Sequence, residues 1–153
     1  MSKRFDEWND TKKTIHLKTQ LAHFREREIY VSTMGSNVGF EQDGKGEDFI
    51  RPVLVLRKFS KHSFIGVPLT SVVKEDMFHY PFSFIEEKKS YAIISQVRLF
   101  DAKRLERKMG TIQENDFNEI ERVDEVMSCS PWVAPRVVPK EICREIIAQI
   151  VNI

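Results

Sequence analysis

Apolar side chains in the first part of the chain recur at steps of three, four and seven residues, with charged side chains between them. This spacing places the apolar groups on one side of a helix, and we predict an amphipathic helix over residues 8–26. The apolar positions are Trp8, Ile15, Leu17, Leu21 and Phe24.

From residue 28 the pattern changes to short runs of β-branched and aromatic residues bounded by turn-forming residues, which predicts strands. The continuous apolar run over residues 52–56 favours a strand buried on both faces, joined in a hairpin to residues 64–69. Because several runs are joined by hairpins, we predict a mainly β fold with α, a small antiparallel β-barrel with helices at both ends. Further strands are predicted over residues 29–34, 78–85, 91–97 and 109–112, and a helical turn capped by Asp101 over residues 101–105.

Two helices are predicted to close the chain. The first covers residues 114–127, and the second follows a Pro-rich connector and begins at Pro139. The apolar face of the last helix suits packing against residues 8–26 or against a second copy of the chain. The predicted divisions are an N-terminal helical extension (1–27), a barrel domain with a helix (28–128), and a connector with a C-terminal helix (129–153).

A glycine-rich loop joins the first two predicted strands. Residues 35–50 (GSNVGFEQDGKGEDFI) hold four glycines and several other turn-forming residues. Loops of this length are uncommon in compact domains and are often functional. Because the segment does not open a helix, we do not expect it to present the aligned backbone amides with which many glycine-rich loops bind phosphate.

Composition narrows the class of protein. With 153 residues, 41% of them hydrophobic and 31% charged, the chain is typical of one soluble globular domain and excludes low-complexity disorder. The formal net charge of +1 excludes a general polycation, so any contact with nucleic acid needs a local patch. Residues 1–27 carry seven Lys and Arg against four Asp and Glu, which suits either a solvated outer face or a patch that faces RNA.

No metal, cofactor, export or membrane signal emerges from the sequence. Cys129 and Cys143 match no metal or redox spacing, and the four histidines are scattered. No apolar run approaches the ~20 residues that a membrane span requires. We therefore predict a cytoplasmic protein without a metal or another cofactor.

Several segments, in order along the chain, resemble the PemK/MazF toxin family. The resemblance covers about residues 28–112, with the helices at both ends outside it. The segments are residues 28–31 (EIYV), 35–42 (GSNVGFEQ), 51–56 (RPVLVL), 67–71 (VPLTS), 94–101 (ISQVRLFD) and 103–105 (KRL).

This resemblance implies both a fold and a function. The fold is an SH3-like antiparallel barrel that is usually a homodimer. The implied function is that of a toxin of a type II toxin–antitoxin system, a metal-independent endoribonuclease that cleaves single-stranded RNA at short sequences. The implied partners are the RNA and a cognate antitoxin encoded beside the toxin.

The resemblance also implies catalytic residues, namely Arg51, Thr70 and Glu41. Arg51 suits stabilisation of the charged phosphorane, since its planar fork matches two phosphate oxygens, and proton donation is a second role. The Thr70 hydroxyl suits donation to a phosphate oxygen. Glu41 suits either acceptance of the 2′ proton or contact with a base edge.

Other residues of the matching segments are predicted to bind RNA. Some members of the family have His at the position of Phe40 and Asp at the position of Ser95. The Phe40 ring suits stacking on a base. The predicted RNA-binding residues are Asn37, Phe40, Gln42, Ser71 and Gln96.

Alternatives stay open at this point. Arg51 suits a surface ion pair with Glu47 or Asp48, and Thr70 and Ser71 suit ordinary turn positions. A barrel of this kind also suits a toxin that acts on DNA gyrase through its C-terminal helix, or an inactive module that only binds RNA or protein.

Overall fold

The computed structural model of the chain describes residues 3–85 and 88–128, the last five of them by backbone alone. The chain divides between residues 121 and 122 into two compact units, and the sheet belongs to the first. The predicted connector and last helix, with both cysteines, lie outside the described residues. The elements are α1 (Phe5–His16), β1 (Glu28–Thr33), β2 (Ile50–Lys58), β3 (Ser63–Thr70), β4 (His79–Ile85), β5 (Lys88–Ile93), β6 (Arg98–Asp101), β7 (Leu105–Thr111) and α2 (Glu114–Ser128).

The strands form one curled antiparallel sheet. Its order is β4-β5-β3-β2-β1-β7, and β6 pairs with β3. β3 changes partner along its length, because its first half pairs with β6 and its last two residues pair with β5. The two ends of the sheet approach each other at Gly110 of β7, where an added Cβ would lie 2.9 Å from the Phe84 ring of β4. The predicted mainly β, barrel-like fold is thus confirmed as an antiparallel half-barrel with helices.

Large aromatic rings fill the inside of the curl. The Phe64 ring lies 5.0 Å from that of Phe24 and 5.4 Å from that of Phe100, measured between centroids. All three side chains are buried beside Val53 and Val55 of β2. Complete burial of a side chain of this size contributes about 1.5–3 kcal/mol to folding, so this cluster is a main source of stability.

The prediction of one helix over residues 8–26 was wrong in its second half. α1 ends at His16, where Lys103 donates a hydrogen bond to the His16 carbonyl at 2.6 Å. Residues 18–25 carry no regular structure, and Phe24 packs inside the barrel. Periodicity alone does not separate an apolar residue on a helical face from one that enters a neighbouring core.

Other predictions were confirmed with shifted bounds. The predicted strand over residues 91–97 divides into β5 and a 3₁₀ turn over Ile94–Gln96. The helical turn after Asp101 is a 3₁₀ turn, capped by the Asp101 carboxylate, which accepts a hydrogen bond from the Lys103 amide at 2.8 Å. β6 was not predicted, and it is only four residues long. In the described part of the chain, no helix combines the length and apolar character needed to cross a bilayer.

Candidate active site

Strand register brings two of the predicted catalytic residues together. Val53 of β2 pairs with Pro68 of β3, and the same antiparallel register, extended by two residues, sets Arg51 opposite Thr70. The Arg51 Nη1 donates to the carbonyl of Leu69, next to Thr70, at 3.0 Å. Both residues therefore lie at one end of the two central strands.

The Arg51 guanidinium is held by backbone carbonyls. Besides the bond to Leu69, its Nε donates to the Asp43 carbonyl at 2.8 Å, and the residue is only 7% exposed. Burial lowers the pKa of Arg51 below its usual range, and the nearby Asp43 carboxylate opposes part of that shift. Among the residues described, no ion pair joins Arg51 to Glu47 or Asp48, so the surface-pair alternative has no support.

Arg51, Thr70 and Ser71 line one cavity of about 730 Å³ at that end of β2 and β3. Three lysines, Lys45, Lys88 and Lys89, complete its charged lining. Arg51 and these lysines give the described lining four cationic side chains, an arrangement that suits an anionic ligand. The other walls are formed by Ile50, Pro52, Leu69, Phe84, Ile85, Ser90 and Met109.

Thr70 has a fixed hydroxyl. Its Oγ1 accepts a hydrogen bond from the amide of Val72 at 3.2 Å, in a turn that directly follows β3. A hydroxyl carries one proton besides its acceptor lone pairs, so the Thr70 proton is available to a phosphate oxygen. Ser71 is exposed beside it on the same cavity wall.

Three predicted RNA-binding residues, Asn37, Phe40 and Gln42, belong to the β1–β2 loop (residues 34–49). They lie outside the described lining of this cavity, and hydrogen bonds connect them to one another and to Gln96. The Asn37 side-chain amide donates to the Gln42 carbonyl at 2.8 Å. Gln96, in the 3₁₀ turn before β6, accepts from the Gln42 amide at 3.0 Å and donates to the Phe40 carbonyl at 3.3 Å. The Phe40 ring is fully exposed. The exposed Phe40 ring is thus presented by a loop that these hydrogen bonds stabilise.

Glu41 lies on this loop and not in the lining of the cavity. Its carboxylate accepts a hydrogen bond from the Val38 amide at 3.3 Å. Its electrostatic partner is Arg98, whose pKa is lowered by burial, a shift that the Glu41 carboxylate partly opposes. The structure therefore separates Glu41 from the pair formed by Arg51 and Thr70.

Sequence reasoning missed the three lysines of the cavity. Lys88 and Lys89 lie between the predicted strands 78–85 and 91–97 and were not assigned to the site, and Lys45 was interpreted only as part of the glycine-rich loop. The place of Lys88 and Lys89 follows from the pairing of β5 with β3 at Tyr91 and Thr70, which brings the start of β5 beside the end of β3. Lys45 is placed by its own bridge to Ile50 at the start of β2. The hydrophobic pattern of a single strand does not predict the order of strands in a sheet. The adjacent pair of lysines just before a predicted strand was the available signal.

Within residues 3–85 and 88–128, no three His, Cys, Asp or Glu side chains come close enough to form a metal site.

The fold and the cavity together define a small antiparallel half-barrel with an arginine and a cluster of lysines at its mouth. A family model described as "PemK-like, MazF-like toxin of type II toxin-antitoxin system" matches residues 27–123, more than half of the chain. The chain belongs to this family of toxins, which confirms the resemblance noted in its sequence. No protein among curated sequences matches it.

Solved structures share this fold at low sequence identity. MazF from Deinococcus radiodurans has a TM-score of 0.56 at 15% identity, over 70% of this chain and 98% of that one. The Mycobacterium tuberculosis toxin MazF-mt6 has a TM-score of 0.50 at 15% identity, over 64% and 92%. A mycobacterial endoribonuclease in complex with its cognate antitoxin has a TM-score of 0.51 at 11% identity, over 68% and 93%. At these identities the likeness establishes the fold alone.

Proposed function

We propose that the chain is a metal-independent endoribonuclease that cleaves single-stranded RNA and acts as the toxin of a type II system. One observation carries the proposal: Arg51 and Thr70 share a cavity with three lysines. Membership of the PemK/MazF family supports it. So does the description of one similar structure as an endoribonuclease, which is said of that protein.

The reaction forms a bond between the 2′ oxygen of a ribose and the adjacent phosphorus, and it breaks the bond from phosphorus to the 5′ oxygen. The 2′ hydroxyl loses its proton, the leaving 5′ oxygen gains one, and the products carry a 2′,3′-cyclic phosphate and a 5′ hydroxyl. The phosphorane between them gains negative charge, so fixed cationic donors lower the barrier. DNA lacks the 2′ nucleophile and is spared.

We assign charge stabilisation to Arg51. Its Nε and Nη1 are already bound to carbonyls, and no described residue accepts a hydrogen bond from its Nη2. That nitrogen is therefore preorganised for a phosphate oxygen, without the cost of ordering a flexible side chain. Although burial lowers its pKa, the ordinary pKa of a guanidinium lies so far above neutrality that Arg51 stays charged near neutral pH. This favours the electrostatic role over proton donation.

The remaining residues are assigned to binding. Thr70 and Ser71 donate to the reacting phosphate, and Lys45, Lys88 and Lys89 contact flanking phosphates. Phe40 stacks on a base, which is worth about 1–3 kcal/mol in comparable sites. Of the two predicted roles of Glu41, its position on the loop beside Phe40 favours contact with a base edge.

The loop amides are assigned to the same RNA interface. Asn37, Gln42 and Gln96 hold the backbone that presents Phe40, so their contribution to RNA binding runs through the shape of the loop.

We further propose a cognate antitoxin and a second copy of the chain as partners. A similar structure is an endoribonuclease in complex with its cognate antitoxin. The homodimer is what the family resemblance implies, and the cytoplasmic location is the prediction made from the sequence.

Cleavage of RNA in excess EDTA tests this function. The purified full chain should convert a labelled single-stranded RNA into discrete fragments that end in a cyclic phosphate. The matched control is the same RNA with one 2′-deoxy nucleotide at the cleaved position, which should stay intact because the nucleophile is missing. Failure to cut any RNA, or cleavage of the deoxy control at the same bond, would overturn the proposal.

A further inference from the structure

Residues that precede the family match lie against the β1–β2 loop. The Trp8 ring of α1 packs on Phe49 at the end of that loop, with 5.6 Å between ring centroids, and both side chains are buried. The same indole covers Gly35 at the start of the loop, where an added Cβ would lie 2.3 Å from Trp8 Cε2. One side chain of the extension thus contacts both ends of the loop.

Two basic residues ahead of α1 bind the backbone of the loop. The Lys3 ammonium donates to the carbonyls of Asn37 and Gly39 and forms an ion pair with the Asp43 carboxylate at 2.9 Å. Arg4 lies over the Phe49 ring at 4.8 Å from its centroid and donates to the Gly46 carbonyl at 3.4 Å. These contacts reach the loop at points on both sides of its exposed tip.

Asp43 connects these contacts to the candidate catalytic arginine. Its carboxylate holds Lys3 on one oxygen and accepts a hydrogen bond from the Asn37 amide at 2.6 Å on the other. Its backbone carbonyl accepts from Arg51 Nε at 2.8 Å. A displacement of Asp43 therefore changes the support of the Arg51 guanidinium directly.

We propose that residues 3–16 are a clamp that fixes the β1–β2 loop and, through Asp43, positions Arg51, an inference that rests on the proposed function for its effect on catalysis. A loop with four glycines loses much conformational entropy when it is ordered. With the clamp, this entropy is lost when the chain folds and not when RNA binds. RNA therefore binds to a loop that is already ordered. Lys3 and Trp8 are positioning residues, since they act through Asp43 and the loop.

The test compares Lys3→Gln with Lys13→Gln in the full chain. Both remove one charge from the extension, but the ion pair of Lys13 is with Asp10, on the exposed face of α1 and away from the loop. Two readouts are hydrogen exchange of the Asn37 backbone amide, bound to Asp43, and of the Gly44 amide, which donates to the Gly35 carbonyl at 2.8 Å. The others are the exchange rate of the Arg51 Nε proton by NMR and kcat on RNA. Lys3→Gln should speed exchange at all three protons by about three- to tenfold, as expected from the loss of one or two net hydrogen bonds. It should lower kcat by a similar factor.

Two further variants guard against a merely structural effect. Lys3→Arg keeps the cation and should restore most of the protection, and Trp8→Phe should loosen Gly35 and Phe49 without loss of charge. Thermal unfolding shows that each variant is folded.

Exchange in Lys3→Gln equal to that in Lys13→Gln would overturn the clamp. Faster exchange with unchanged kcat would overturn the positioning of Arg51. If the wild-type chain cleaves no RNA, the proposed function fails, while the three exchange rates still decide on the clamp.

Discussion

A guanidinium held by two backbone carbonyls differs from one held by a carboxylate. The carbonyls of Asp43 and Leu69 satisfy two donors of Arg51 but neutralise none of its charge. Removing a charge from water is costly, and hydrogen bonds recover only part of that cost. The Asp43 carboxylate supplies part of the counter-charge but is already paired with Lys3. A bound phosphate would supply more, so the environment of Arg51 favours an anionic ligand over an empty cavity.

Gly35 tests the packing between α1 and the loop at a single residue. Its φ of +100° and the 2.3 Å approach of Trp8 both exclude a side chain. Gly35→Ala should destabilise the protein by about 3 kcal/mol, because strain and steric overlap add. Chemical denaturation with urea measures this change.

Gly39 is the matched control, in the same loop. It also has a positive φ, of +56°, but nothing lies within 4 Å of an added Cβ. Gly39→Ala should therefore cost only about 1–2 kcal/mol, the conformational term alone. Equal losses in the two variants would show that Trp8 does not occupy the space over Gly35.

At the scale of elements, the site depends on β3. The first half of this strand pairs with β6, and its last two residues pair with β5. That change of partner sets Lys88 and Lys89 beside Thr70. Two lysines at the start of β5, the second strand of the β4–β5 hairpin, thereby join a site whose arginine and threonine come from the centre of the sheet.

A double variant, Lys88→Gln with Lys89→Gln, tests the role of β5. Binding to a 2′-O-methyl RNA, which cannot be cleaved, should weaken. The slope of log affinity against log salt should fall by about 1.4, since each phosphate contact to a single strand contributes about 0.7.

Lys12→Gln with Lys13→Gln in α1 is the control for that experiment, since it removes the same charge outside the cavity. Its slope should match that of the unchanged chain. A loss of slope confined to the α1 variant would place the RNA on the N-terminal helix, which is the alternative that its charge left open.

The elements that could be predicted were those whose signal is local. The continuous apolar run of β2 and its hairpin with β3 were visible in the sequence, and so were Arg51 and Thr70 at their ends. The places of Lys88 and Lys89 were not, because they depend on strand order. The course of residues 17–26 was also hidden, since Phe24 has the spacing of a helical face but packs in the barrel.

At the scale of the whole molecule, charge is distributed unevenly. The net charge is only +1, yet one cavity gathers an arginine and three lysines. Such a local field binds and orients an anion without making the whole surface attractive to nucleic acid. A second feature at this scale is the N-terminal extension. It lies outside the region shared with the family and, in the proposal above, stabilises the β1–β2 loop.

The central claim is that the Arg51 guanidinium stabilises the transition state of RNA cleavage. Its most direct test is the single-turnover cleavage rate of Arg51→Met and Arg51→Lys. Arg107→Met is the control, since Arg107 is exposed on β7 outside the described lining of the cavity. Thermal unfolding of each variant verifies that it is folded.

Arg51→Met should cleave about 10²–10³-fold more slowly than the unchanged chain, the usual cost of losing one transition-state donor. The cleavage rate of Arg51→Lys should lie between those of Arg51→Met and the unchanged chain, because lysine keeps the charge but lacks the planar guanidinium. Arg107→Met should cleave at the rate of the unchanged chain. A folded Arg51→Met protein that cleaves RNA as fast as the Arg107→Met control would contradict the account.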